Sequence, residues 1–155
     1  MKIVPCLTLL LGAVISCTAP AFNQSEVEQE VRNMLKSYHQ AMETNGLEAE
    51  FDFLDNSDDF FWVPPGYTST LTYDSVRTIL KQTAPAIDSI SLSWETLSIY
   101  PLSRDLASYS GIVSGTMRDT SGNINAMHLI ESGTCIRRAD GWKLLNGQSA
   151  VLPEK

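Results

Sequence analysis

The chain has 155 residues, 43% of them hydrophobic, and a formal net charge of −7, which suits one domain with an ordinary core. That charge excludes the function classes that depend on clustered Lys and Arg. The nearest basic pair, Arg137-Arg138, is too small to hold nucleic acid or to adhere to anionic lipid. His39 and His128 lie far apart without ligand-spaced partners, and there is no nucleotide or phosphate-loop fingerprint, so neither a metal nor a cofactor is expected.

Lys2, the apolar run Ile3 to Ile15, and Ser16 before Cys17 stand in the order of a secretion signal, and the run is too short to span a bilayer comfortably. The segment resembles a bacterial lipoprotein signal with its lipobox, which implies removal of residues 1–16 and lipidation of Cys17. Residues 17–24 then form the lipidated cysteine and a short linker, and residues 25–155 the domain. The mature domain would have a charge of −8, because Lys2 is the only charged residue lost. Two or more acyl chains would hold it at the membrane of a bacterial cell envelope. The alternative is soluble secretion after Ala21, since Ala19-Pro20-Ala21 is also a small-x-small site. Either way Cys135 is left without an internal disulfide partner and reads as a small packed hydrophobe.

Ser25 and Glu28 form a capping-box pattern, and Val27, Val31, Met34, Leu35, Tyr38 and Met42 recur at helical spacing until Asn45-Gly46. His39 falls off that stripe and is expected to face solvent. A short second helix is predicted through Leu47, Phe51 and Leu54, followed by a solvated acidic loop over Asp55 to Asp59. Phe60 to Val63 reads as a strand, Pro64-Pro65-Gly66 as its turn, and Tyr67 to Leu71 as its return. Thr72 caps a third helix carrying Val76, Ile79 and Leu80.

From Ser89 the period becomes alternating. Ile90, Leu92 and Trp94 share one parity and Leu97 and Ile99 the other, which predicts a bulge near Glu95-Thr96. Ala107, Tyr109, Val113 and Met117 mark the next long strand. Gly111 and Gly115 within it suit a bend or a close backbone approach. Ile124 to Arg138 is another strand, Ala139-Asp140-Gly141 a hairpin turn, and Trp142 to about Val151 the last strand.

Tyr38 and Ala41 before Asn45-Gly46, the strand Phe60-Phe61-Trp62-Val63 with Gly66, and Asp140-Gly141-Trp142-Lys143 with Ser149 beyond resemble the SnoaL-like branch of the nuclear transport factor 2-like superfamily. The resemblance covers roughly residues 25–149. It implies an α+β, cone-shaped fold with N-terminal helices packed into a highly curved antiparallel sheet, a pocket between them, and frequent homodimers. The scaffold hosts isomerases, dehydratases, cyclases and hydrolases as well as members without known chemistry, so function must be argued from the site. Where many members carry a histidine in the last strand, this chain has Gln148. An amide can hold a ligand but cannot act as a general base near neutral pH.

The candidate ligand-binding residues are Tyr38 on the helical stripe, Trp62 and Tyr67 flanking the proline turn, Tyr109 on a strand, and Gln148. His128, on a strand face with Ile124, Ala126 and Ile130, is the candidate catalytic residue. Glu131 supplies a carboxylate in the same strand, and no pair of carboxylates has a spacing that compels catalysis. The first reading is a non-enzymatic, lipid-anchored domain whose pocket binds a small apolar molecule or a protein partner. The alternative is an isomerase or dehydratase with His128 or an acidic residue as base and Tyr38 or Gln148 at the developing oxyanion. A third reading is a structural subunit paired through its sheet. If His128 turns to the outer sheet face, or its cavity holds no second polar group within hydrogen-bond reach, the enzyme reading is to be dropped.

Overall fold

The computed structural model describes residues 22–153. The expected signal segment, Cys17 and the alternative cleavage point after Ala21 lie outside them. Helix α1 spans Gln24–Asn45, capped by Asn23, whose side chain accepts the Glu26 N–H and the Ser25 hydroxyl. The cap thus sits two residues ahead of the expected Ser25. Gly46 ends the helix at φ 85°, its N–H bonded to the Met42 carbonyl, a backbone turn that glycine adopts without steric penalty.

The buried residues of α1 are Val27, Val31, Met34, Leu35, Tyr38, His39 and Met42. His39 is therefore not solvent-facing. A helix enclosed by a curved sheet buries a stripe wide enough to take two adjacent positions.

A 3-10 turn over Leu47–Asp52 replaces the second helix, and Leu54 beyond it is buried in a bridge with Leu144. Asp55 departs from the solvated-loop expectation, being 4% exposed. Both its carboxylate oxygens accept from Arg138 at 2.8 Å, so pairing satisfies a charge that burial would otherwise penalise. Strand β1 is short, Phe61–Val63, and the expected return strand reduces to one bridge in which Trp62 and Leu71 exchange backbone hydrogen bonds. Helix α2 spans Tyr73–Thr83, with the Thr72 hydroxyl accepting the Ser75 N–H. A 3-10 turn, Ala84–Ala86, follows.

Strands β2 (Ile87–Pro101), β3 (Leu106–Asp119), β4 (Ile124–Arg138) and β5 (Gly141–Val151) complete a five-stranded sheet in the order β1-β5-β4-β3-β2. The four long strands pair antiparallel, whereas β1 joins β5 in parallel, so the sheet is mixed. No tight turn links β1 to β5, and nothing local imposes an antiparallel pairing on them.

The predicted bulge is present. Register slips between Trp94 and Thr96, which puts Trp94, Leu97 and the buried Ile99 all on the inner face. A second slip lies on β5, where Leu145 is passed over between Leu144 and Asn146 opposite Cys135 and Thr134, and it brings the buried Leu144 and the cavity residue Ser149 to the same inner face. At Gly111 a side chain would run into the Thr96 carbonyl and the Trp94 ring, so glycine is what lets the bulged strand fold over it. The sheet curls around α1 in this way, and the core fills the cone: Leu35, Val31, Tyr109, Leu144 and Cys135 are its most enclosed side chains. Glu30 on α1 accepts from both Arg137 and the Trp142 indole, tying the helix to the β4–β5 hairpin.

Candidate functional site

The open end of the cone encloses a cavity of about 240 Å³. Tyr38, His39 and Met42 of α1 form one wall, Leu47 and Glu50 of the first 3-10 turn another, and Val76, Ile79 and Leu80 of α2 a third. The sheet contributes Ile90, Leu92, Val113, Met127, Leu129, Glu131 and Ser149, and Trp62, Pro64, Pro65 and Tyr67 stand at the β1 side. Such a largely apolar hollow with few polar groups has the composition of a small-molecule site.

Its polar groups form two tyrosine–glutamate pairs. The Tyr38 hydroxyl donates to Glu50 Oε1 at 3.1 Å, and the Tyr109 hydroxyl to Glu131 Oε1 at 2.8 Å. Tyr109, 1% exposed, stands behind Glu131. Burial raises the Glu50 carboxyl to about 7, against the opposing hydrogen bond from Tyr38. Burial likewise raises Glu131 to about 7, the Tyr109 hydrogen bond opposing and the nearby Glu50 charge adding to it. Both phenols are pushed well above their usual range, first by burial, and stay protonated donors. Near neutral pH the two carboxyls together therefore present both an acid and a base.

His39 completes the polar set. Its ring stacks on Trp94 with centroids 5.0 Å apart and planes 16° apart, and Tyr38 lies against it at 5.2 Å. Trp94 in turn meets Tyr109 edge-on at 5.9 Å. Burial lowers the imidazole to about 4, so it is neutral at pH 7.

Of the residues singled out in the sequence, Tyr38, Trp62 and Tyr67 meet at this cavity, and Tyr109 supports it through Glu131. Gln148 and His128 do not. Ser149 lines the cavity, so its neighbour Gln148 projects to the other face and is exposed. His128 sits between the cavity residues Met127 and Leu129 and therefore points outward, its Nε2 3.6 Å from Glu95 Oε2. Strand alternation decides both placements. Glu50 was not among the candidates, although it stands three residues after Leu47 and four before Leu54, on the stripe those residues define. Cys135 is a free, buried thiol that burial pushes up, which makes it inert packing. Among the described residues no His, Cys, Asp and Glu cluster could hold a metal ion, and no helix is long and apolar enough to cross a membrane.

No protein-family profile matches the sequence, and no curated protein matches it. Solved structures do match in shape. A nuclear transport factor 2-like superfamily protein from Salmonella enterica serovar Typhimurium aligns at TM-score 0.70 with 12% identity, over 84% of this chain and 94% of that one. A ketosteroid isomerase-like protein from Erwinia carotovora atroseptica aligns at 0.67 with 15% identity, over 83% and 98%. A provisionally named dehydratase of the same superfamily from Streptomyces avermitilis aligns at 0.71 with 15% identity, over 84% and 99%. Helices leading into a curved, unclosed mixed sheet with a pocket inside the cone give this chain the nuclear transport factor 2-like fold.

Proposed function

We propose that the cavity is an acid–base site that moves a proton at a carbon next to a carbonyl group of a small apolar molecule, as an isomerase or dehydratase does. The observation that carries this reading is the convergence of Glu50 and Glu131, each hydrogen-bonded to a tyrosine, on one apolar hollow. The ionised carboxyl takes the proton from carbon and the electron pair moves onto the carbonyl oxygen. The protonated carboxyl donates to that oxygen, or to a departing hydroxyl in an elimination. The tyrosines hold the carboxyls in place. The neighbours named as an isomerase-like protein and a dehydratase agree with this class, and the assignment rests on the site.

An enzyme built on His128 falls with the outward placement of that residue, and the glutamate pair replaces it. The test is deuterium incorporation from D2O into cyclic ketones such as 2-tetralone and cyclohexenone, followed by NMR. Exchange above background that falls at least tenfold in both Glu50→Gln and Glu131→Gln supports the reading. Saturable binding without exchange returns the domain to a non-enzymatic binding role, which the apolar walls also suit.

We further propose that the domain is carried on a lipid-modified Cys17 at a bacterial cell envelope. The order of charged start, apolar run, Ser16 and Cys17 supports it. Intact-mass analysis is expected to show acyl chains on a chain starting at Cys17 and none in Cys17→Ser. An unmodified chain starting at Phe22 would instead establish soluble secretion.

A further inference from the structure

His39 is 5% exposed, its ring lines the cavity, and its Nδ1 has no hydrogen-bond partner. Among the buried side-chain polar atoms of the described residues it stands alone in this. A buried polar atom without a partner is destabilising, and apolar packing at this position would be met by a leucine or phenylalanine without that penalty. The aromatic stack sets the plane of the ring: Trp94 covers one face, and the Trp94 indole is itself held through its N–H to the Leu35 carbonyl. A half-turn of the imidazole about its Cβ–Cγ bond preserves that stack and exchanges Nδ1 with a ring carbon. The site can thus re-aim its nitrogen without repacking.

We infer that His39 positions the ligand, its neutral imidazole forming a hydrogen bond with a hydroxyl or carbonyl oxygen carried on an apolar ring. The inference rests on the acid–base reading only for the site's location. A neutral imidazole offers one donor and one acceptor, so it takes either oxygen type, whereas the Tyr38 and Tyr109 hydroxyls are already engaged with Glu50 and Glu131.

The chain has two histidines, so its imidazole nitrogen NMR spectrum is readable residue by residue, with His128 on the opposite face as internal reference. The probe is 2-naphthol, and naphthalene is its counterpart without oxygen. Addition of 2-naphthol is expected to shift the His39 nitrogens and leave those of His128 in place, and naphthalene is expected to shift neither comparably. His39→Phe, which keeps a ring on Trp94, should weaken 2-naphthol about tenfold, as loss of one neutral hydrogen bond does, and leave naphthalene within about twofold. His39→Asn, which retains a nitrogen near the Nδ1 position, should recover part of the loss. Unmoved His39 nitrogens in the native protein overturn the inference, whether or not the probe binds. A negative deuterium-exchange result with a positive His39 shift would instead remove the chemistry and leave the binding role.

Discussion

The Tyr109 hydroxyl donates to Glu131 Oε1 across two paired strands at 2.8 Å, and this bond fixes where the deeper carboxyl points. Because the bond favours the ionised carboxylate, its removal in Tyr109→Phe should raise the Glu131 pKa further from its value of about 7. The pH profile of deuterium exchange is then expected to move to higher pH, since a higher pH is needed to generate the base. Urea denaturation should show a loss of about 1–3 kcal/mol, the penalty of a buried group left unsatisfied. An unchanged profile would mean that Glu131 is not the base.

Stability should be greatest in mild acid. Glu50 and Glu131 titrate near 7 in the folded chain against 4.5 ordinarily, so their contribution is fully present below about pH 4.5 and is lost as pH rises through 7. His39 acts in the opposite sense. Its pKa falls from 6.5 to about 4, so its contribution is present above 6.5 and is lost as pH falls toward 4. Two carboxyls against one imidazole leave a net rise in stability on going from pH 7 to 4.5, on the order of a few kcal/mol. Below about pH 4 the trend should reverse, as Asp55 and Glu30, held low by hydrogen bonds from Arg138 and Arg137, take up protons. Thermal denaturation across pH 3.5–8 checks this, with Glu50→Gln/Glu131→Gln expected to abolish the acid-side rise and His39→Asn to steepen it.

Much of the fold was legible because its signals are local. The helix stop at Asn45-Gly46, the Thr72 cap, the bulge at Glu95 and the Asp140-Gly141 hairpin each follow from a few adjacent residues. The parallel pairing of β1 with β5 was not, since it joins segments more than eighty residues apart and leaves no local trace. The site divides in the same way. Tyr38, Trp62 and Tyr67 were readable as aromatics on a stripe or beside a rigid turn. His128 and Gln148 were drawn to the wrong face because an alternating strand names two faces without saying which one is inside. Glu50 and His39 were missed for physical reasons: Glu50 is a polar residue on an apolar stripe, where patterning assigns polar residues to solvent, and His39 lies just beside a stripe that the curved sheet buries more widely than the apolar pattern marks.

Asp55 and Asp58 lie in the same acidic stretch, but only Asp55 is buried and paired. Asp55→Asn should lower the thermal midpoint clearly, because it removes the charge from a bidentate pair that joins the loop to the end of β4. Asp58→Asn, at an exposed position, should leave it nearly unchanged. Equal effects of the two substitutions would show that the loop is held by its backbone contacts, such as the Asp55 N–H to the Leu144 carbonyl, and not by the ion pair.

Gly147 on β5 lies beneath the Trp62 indole, so that a methyl group there would overlap the six-membered ring. Trp62 is also a cavity residue, and the glycine therefore sets how far the β1 wall closes over the site. Gly147→Ala should push the indole toward the cavity or outward with it β1, at a cost of about 1–3 kcal/mol for overpacking. The short β1 makes the strand yield before β5, whose pairing with β4 runs nearly its whole length. Tryptophan fluorescence should report a changed Trp62 environment, and binding of 2-naphthol should weaken through the altered wall while the His39 nitrogens still shift once the probe is bound. Retention of native stability, fluorescence and affinity together would mean that Trp62 has room to move, and that the contact with Gly147 does not shape the site.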